Sequence, residues 1–69
     1  MEGPHELHDL ADQIAEIERR VGEVIFTAVR DQLRGDDAGA RDRERQLSRV
    51  RRSLVKAESV LRAMDLDEG

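Results

Sequence analysis

Leu7-His8-Asp9-Leu10-Ala11-Asp12-Gln13-Ile14-Ala15-Glu16-Ile17-Glu18-Arg19-Arg20-Val21-Gly22-Glu23-Val24-Ile25-Phe26-Thr27-Ala28 is the stretch that decides the fold. Its apolar residues Leu7, Leu10, Ile14, Ile17, Val21, Val24 and Ala28 recur in alternating steps of 3 and 4. That spacing places one apolar seam along an α-helix and suits it to winding around a second helix. The pattern returns in the second half of the chain, at Leu47, Val50, Leu54, Ala57, Leu61 and Met64. Between the two halves lies Gly35-Asp36-Asp37-Ala38-Gly39-Ala40, a short breaker. Two seamed helices joined by a short loop predict an all-α fold, an antiparallel coiled-coil hairpin.

The local signals set the expected boundaries. Pro4 suits the first turn of a helix, where its missing N–H costs nothing. Glu6, Asp9 and Asp12 complement the positive end of the helix dipole, and Arg30 and Arg34 the negative end. Helix one is expected over about residues 4–34, with Met1, Glu2 and Gly3 frayed. Gly35 suits the left-handed position that ends many helices. The loop is expected at 35–40, with Asp36 or Asp37 capping the next helix. Helix two is expected over about 41–64, and the acidic tail Asp65-Leu66-Asp67-Glu68 is expected to fray, since acids oppose the dipole there. Gly22, inside helix one, costs roughly 1 kcal/mol against alanine and would permit a close helix approach.

With 69 residues the chain has room for one domain. A core of this size usually needs a staple or a partner. Cysteine is absent and Phe26 is the sole aromatic residue, so no disulfide or thiolate metal site can supply the staple. Dimerisation into a four-helix bundle, or docking on another protein, is therefore expected. Ile25, Phe26, Val29, Val55 and Val60 lie outside the strict seams and are the expected protein interface, for a second copy or for a different partner.

Charged residues make up 41% of the chain and the net charge is −4. Residues 1–34 carry eight acids and four bases, whereas residues 41–62 carry three acids and eight bases. An acidic helix laid against a basic one predicts charge pairing that sets the register. The acidic first fifteen residues lack the apolar stretch of a signal peptide, and no apolar run approaches the length of a membrane span. With no cysteine, a cytoplasmic location is expected. Arginine outnumbers lysine eleven to one, a bias that fits a GC-rich bacterial genome.

Two helices cannot enclose a nucleophile and its base, so no catalytic residues are assigned and a non-enzymatic role is expected. His5 and His8 have helical spacing but lack the further ligands of a metal site. Arg41, Arg45, Arg49, Arg52 and Lys56 form a basic stripe on helix two that could track phosphates as a nucleic-acid accessory surface. No aromatic residues interleave with it for base stacking, and the protein is acidic overall.

The sharpest constellation is Glu44, Ser48 and Arg51, spaced E-x3-S-x2-R on one face of helix two beside the seam. With its surroundings, Glu44-Arg45-Gln46-Leu47-Ser48-Arg49-Val50-Arg51-Arg52-Ser53-Leu54, it resembles the second helix of the RsiG-type proteins, actinobacterial anti-sigma factors built on a helical hairpin. In that family the motif continues to E-x3-S-x2-R-x3-Q-x3-D and binds cyclic di-GMP, which helps hold a flagellar-type sigma factor inactive. Val55 and Ser59 stand where the family has glutamine and aspartate. The resemblance covers about twenty residues of helix two. It implies a small regulator with a sigma factor as partner and, as an alternative, a cyclic di-GMP-responsive switch in which Arg51 forks onto a guanine edge or phosphate.

Overall fold

The computed structural model describes residues 3–35 and 37–68. It is a hairpin of two long helices, α1 (Gly3–Leu33) and α2 (Asp37–Glu68), packed along their whole length. Its Cα atoms span 51 × 15 × 12 Å. The all-α hairpin follows from the heptad spacing on both halves and the glycine between them. Gly35 adopts a φ of +98°, the left-handed conformation that costs glycine least. The N–H of Arg34 donates to the Asp31 carbonyl at 3.1 Å and that of Gly35 to the Gln32 carbonyl at 3.0 Å, tightening the last turn.

The turn is shorter than the breaker composition predicts. α2 begins at Asp37, so residues 37–40 are helical. Ala40 accounts for the difference: it is 1% exposed, because it starts the row that packs on α1. Burial of Ala40 outweighs the softness of Gly39. At the other end α2 continues to Glu68 instead of fraying after Met64. Asp65 is half-buried and its Oδ2 lies 4.0 Å from His8 Nδ1. Docking on α1 thus extends α2 past the point where the dipole alone would end it. The cap expected from Asp36 and the fraying expected at Met1 and Glu2 lie outside the described residues; Gly3, expected to fray with them, is helical, and Asp37, the other expected cap, is itself the first residue of α2.

The seam itself is rotated from the one the heptads predict. Residues seven apart stack in rows along a coiled-coil helix, so burial can be read row by row. On α1 the covered rows are Leu7, Ile14, Val21, Ala28 and Ala11, Glu18, Ile25, Gln32. Ala11 and Ala28 are fully buried and the larger members half-buried. Leu10, Ile17 and Val24, expected in the seam, are 42%, 44% and 48% exposed. On α2 the covered rows are Ala40, Leu47, Leu54, Leu61 and the charged row Glu44, Arg51, Glu58, Asp65, of which the three acids are half-buried and Arg51 is exposed. Val50 and Met64, also expected in the seam, are 47% and 44% exposed, and Ala57 is exposed too.

The physical reason on α1 is that it carries three apolar or partly apolar rows, and one neighbour can cover only two of them; α2 carries two such rows beside its seam and turns one of them away from α1 in favour of the charged row. Gly22 plays no part in helix approach: a Cβ placed there would meet nothing within 4 Å.

Charge pairing across the hairpin is also sparser than the acidic and basic halves suggest. Among the described residues the cross-helix pairs are Arg62 with Asp12, at 3.1 Å, and the longer His8–Asp65 contact. Arg19 instead pairs within its own helix, with Glu16 and Glu23. Arg41, Arg45, Arg49, Arg52 and Lys56 are exposed; the rows of the last four lie away from α1.

Candidate protein-interaction site

The uncovered rows of the two helices meet on one side of the hairpin. Both helices are right-handed and they run antiparallel, so rows offset in the same sense from the seam emerge on the same face. Leu10, Ile17 and Val24 therefore stand along one edge of a long strip, and Met64, Ala57 and Val50 along the other; a groove opens at its middle. Ile17, Val21 and Val24 border Leu47 across the mouth of this groove, with Arg20 at its edge. The Asp12–Arg62 pair fixes the register. Counting from it, Leu10 stands level with Met64, Ile17 with Ala57 and Val24 with Val50. At the loop end the same rows finish in Asp31 and Arg43.

Charge is sparse along the middle of this strip and returns at its ends, where Glu6 and Asp9 lie beside Leu10, and Asp42, Arg45 and Arg49 beside Val50. The rows outside it contribute Gln13, Arg20 and Thr27 from α1, and Gln46, Ser53 and Val60 from α2, all exposed. Arg20 is the sole charged residue among these six and the six strip residues, in a chain that is 41% charged. Depletion of charge at the centre of a surface, with large aliphatics at its core, is the composition of a protein interface.

The opposite side of the hairpin is polar. It carries the Asp12–Arg62–Glu58 cluster, in which the Arg62 Nε donates to Glu58 at 2.7 Å. Beside it Glu18 and Glu58 face one another across the seam. The Glu18 carboxyl is pushed above its ordinary value, first by its hydrogen bond to Glu58, then by burial and by the Glu58 charge. Glu58 is held low by the same hydrogen bond and by Arg62. Glu18 Oε2 is buried without a hydrogen-bond partner, and a proton held between the two carboxyls would satisfy it.

The residues singled out from sequence are dispersed. Ile25 is half-buried between the helices. Phe26 is 65% exposed with the Arg30 guanidinium 5.8 Å from its ring centroid. Val29 and Val55 lie on the polar side, at 41% and 46% exposure, whereas Val60 borders the apolar groove at 50%. Phe26 and Val55 stand about two helical turns apart along the axis, roughly 10 Å. Their rows do not merge into one patch.

Glu44 and Ser48 are brought together: the Ser48 Oγ donates to Glu44 Oε2 at 3.1 Å. Ser48 and Arg51 also share an open groove with Arg52, Val55, Lys56 and Ser59, which Glu44 does not line. Sequence reasoning had the strip residues but assigned them to the hairpin's own seam. The charged row Glu44, Arg51, Glu58, Asp65 beside Leu47, Leu54 and Leu61 was the available signal that α2 turns a different flank toward α1.

Among the described residues no three His, Asp or Glu side chains converge as metal ligands would, and no helix is long and apolar enough to cross a membrane. No protein-family model, curated protein or solved structure matches this chain.

Proposed function

We propose that the protein is a non-enzymatic interaction module that acts by presenting helix faces to other polypeptides. In its specific form it is a small transcriptional regulator that resembles the RsiG-type anti-sigma factors and engages a sigma factor. The carrying observation is the groove-side strip of Leu10, Ile17, Val24, Val50 and Met64, each more than two-fifths exposed. Large aliphatics left open along a rod are the material of helix-face recognition.

The test is titration of the purified chain into a flagellar-type sigma factor, followed by calorimetry and gel filtration. A stoichiometric complex at low micromolar concentration is expected. No complex at tens of micromolar removes the sigma-factor assignment.

A second reading has its own support. The open groove of Ser48, Arg51, Arg52, Lys56 and Ser59 offers three cations and two hydroxyls to an anion. In that reading it takes cyclic di-GMP, with Arg51 as the fork. Heat on titration with cyclic di-GMP, lost in Arg51→Ala, supports it. No heat at high micromolar ligand ends it.

A further inference from the structure

Resting on the interaction-module reading, we infer that the apolar groove is covered by a second copy of this chain, giving a four-helix bundle in which α1 of each chain lies against α2 of the other, both loops at the same end.

Three observations carry the choice of occupant. The first is that the hairpin covers its poorer flank. α2 packs Glu44, Glu58 and Asp65 toward α1 and leaves Val50, Ala57 and Met64 open. Alone, that choice squanders apolar burial; in a bundle, the better flank forms the second interface of the same core. The second is that the single chain lacks a core. The buried apolar residues are Ala11, Ala28 and Ala40, and no large side chain is fully buried among the described residues. The third is that the groove fits itself. A two-fold axis along the rod sets Leu10 opposite the partner's Met64, Ile17 opposite the partner's Ala57 and Val24 opposite the partner's Val50. Large meets small at the middle level, and Asp31 meets the partner's Arg43 at the loop end.

The alternative two-fold, with loops at opposite ends, stacks acidic α1 on acidic α1 and brings Ile17 against its own copy, so charge and shape favour the first. Glu6 facing the partner's Asp67 is its one adverse pair, and it lies at the open end of the hairpin. The area is sufficient: a footprint some 40 Å along the rod and one face wide is on the order of 800 Å² per chain, the size of a stable interface. Dimerisation by this face withdraws the strip from any other polypeptide, so a sigma factor would engage the dimer through what stays outside: Phe26, the arginine stripe and the Ser48–Ser59 groove.

The test is light scattering on the full chain over a concentration series, with oxidative cross-linking as a second measurement. The wild type is expected at twice 7.9 kDa. Ile17→Asp is expected to weaken association roughly 100-fold, since it sets an unpaired charge in the contact. Phe26→Ser and Val55→Ser are expected to stay dimeric. Because the chain has no cysteine, chains carrying only Val24→Cys can be mixed with chains carrying only Val50→Cys. Mixed disulfides are expected to exceed both homodisulfides. A helical monomer at 100 µM overturns the inference and leaves the interaction-module reading to the sigma-factor titration. A dimer that survives Ile17→Asp, or cross-links without preference, overturns the face or the arrangement. A dimer with no further partner removes the sigma-factor reading and leaves this inference standing.

Discussion

Two rows flank the same line of apolar residues on α1, and the hairpin treats them oppositely. Ala11, Glu18, Ile25 and Gln32 are covered by α2, whereas Leu10, Ile17, Val24 and Asp31 form the edge of the open groove. The covered row is the less apolar of the two. α2 repeats the pattern more sharply, with Glu44, Glu58 and Asp65 of a charged row half-buried and Val50, Ala57 and Met64 exposed. Burying one large aliphatic side chain is worth roughly 1.5–3 kcal/mol, so the open strip holds more stabilising potential than the covered flank uses. A hairpin built this way is half of a larger core. The difference also explains why alanines close the seam: small residues let the helices approach while the charged heads reach outward along their stems.

The largest expected effect breaks the covered side. Leu54→Asp places a charge in the seam with no partner and should cost about 3 kcal/mol or more. Circular dichroism should show most of the helix signal lost at 25 °C. Ile17→Asp, on the open side, should retain more helix at high protein concentration while losing the two-chain mass. If both variants unfold alike at every concentration, the two flanks are not distinct.

Glycine substitutions sharpen the comparison without touching either flank's contacts. A Cβ at Gly22 or Gly39 would meet nothing within 4 Å, and both residues are helical with ordinary φ. Each change to alanine should raise stability by roughly 1 kcal/mol, read from urea midpoints. Gly35→Ala should lower it, because its φ of +98° strains any L side chain.

The carboxylate pair on the covered side predicts a pH dependence. Glu18 is raised above its ordinary 4.5, so above that pH the folded chain retains a proton that the unfolded chain has lost. Stability therefore falls as pH rises through the folded value of Glu18. Glu58 and Glu16 are held below 4.5, Glu58 by Glu18 and Arg62 and Glu16 by Arg19, so their contribution is lost as pH drops below that value. The melting temperature should peak on the acidic side of neutrality. Glu18→Gln should flatten the upper slope and spare the lower one.

Phe26 provides the smallest effect. Its ring lies at the surface with Arg30 as neighbour, a contact worth about 0.5–1 kcal/mol at an exposed site. Phe26→Ala should shift the urea midpoint by no more than that and leave the mass unchanged.

Much of the architecture was legible in the residues. The heptad steps gave two helices, Gly35 gave the break, and the set of apolar positions gave the material of both faces. What periodicity could not give was which flank of each stripe meets the other helix. A stripe three rows wide is compatible with a neighbour on either side, and the choice depends on how the loop directs α2 over α1. Ala40 shows the same limit at small scale: composition marks its turn as loop, yet its burial against α1 makes it helix. The E-x3-S-x2-R spacing located Glu44, Ser48 and Arg51 on neighbouring rows. Only the packed side chains reveal that Glu44 accepts from Ser48 and stays out of the groove that Arg51 lines.

Small-angle X-ray scattering of the wild-type chain tests most directly that the open strip is an interface lying along the rod. The expected result is the mass of two chains with a longest dimension close to that of one hairpin, whose Cα atoms span 51 Å, and a thickened cross-section. The mass of a single chain at all concentrations, or two chains with nearly doubled length, would contradict it.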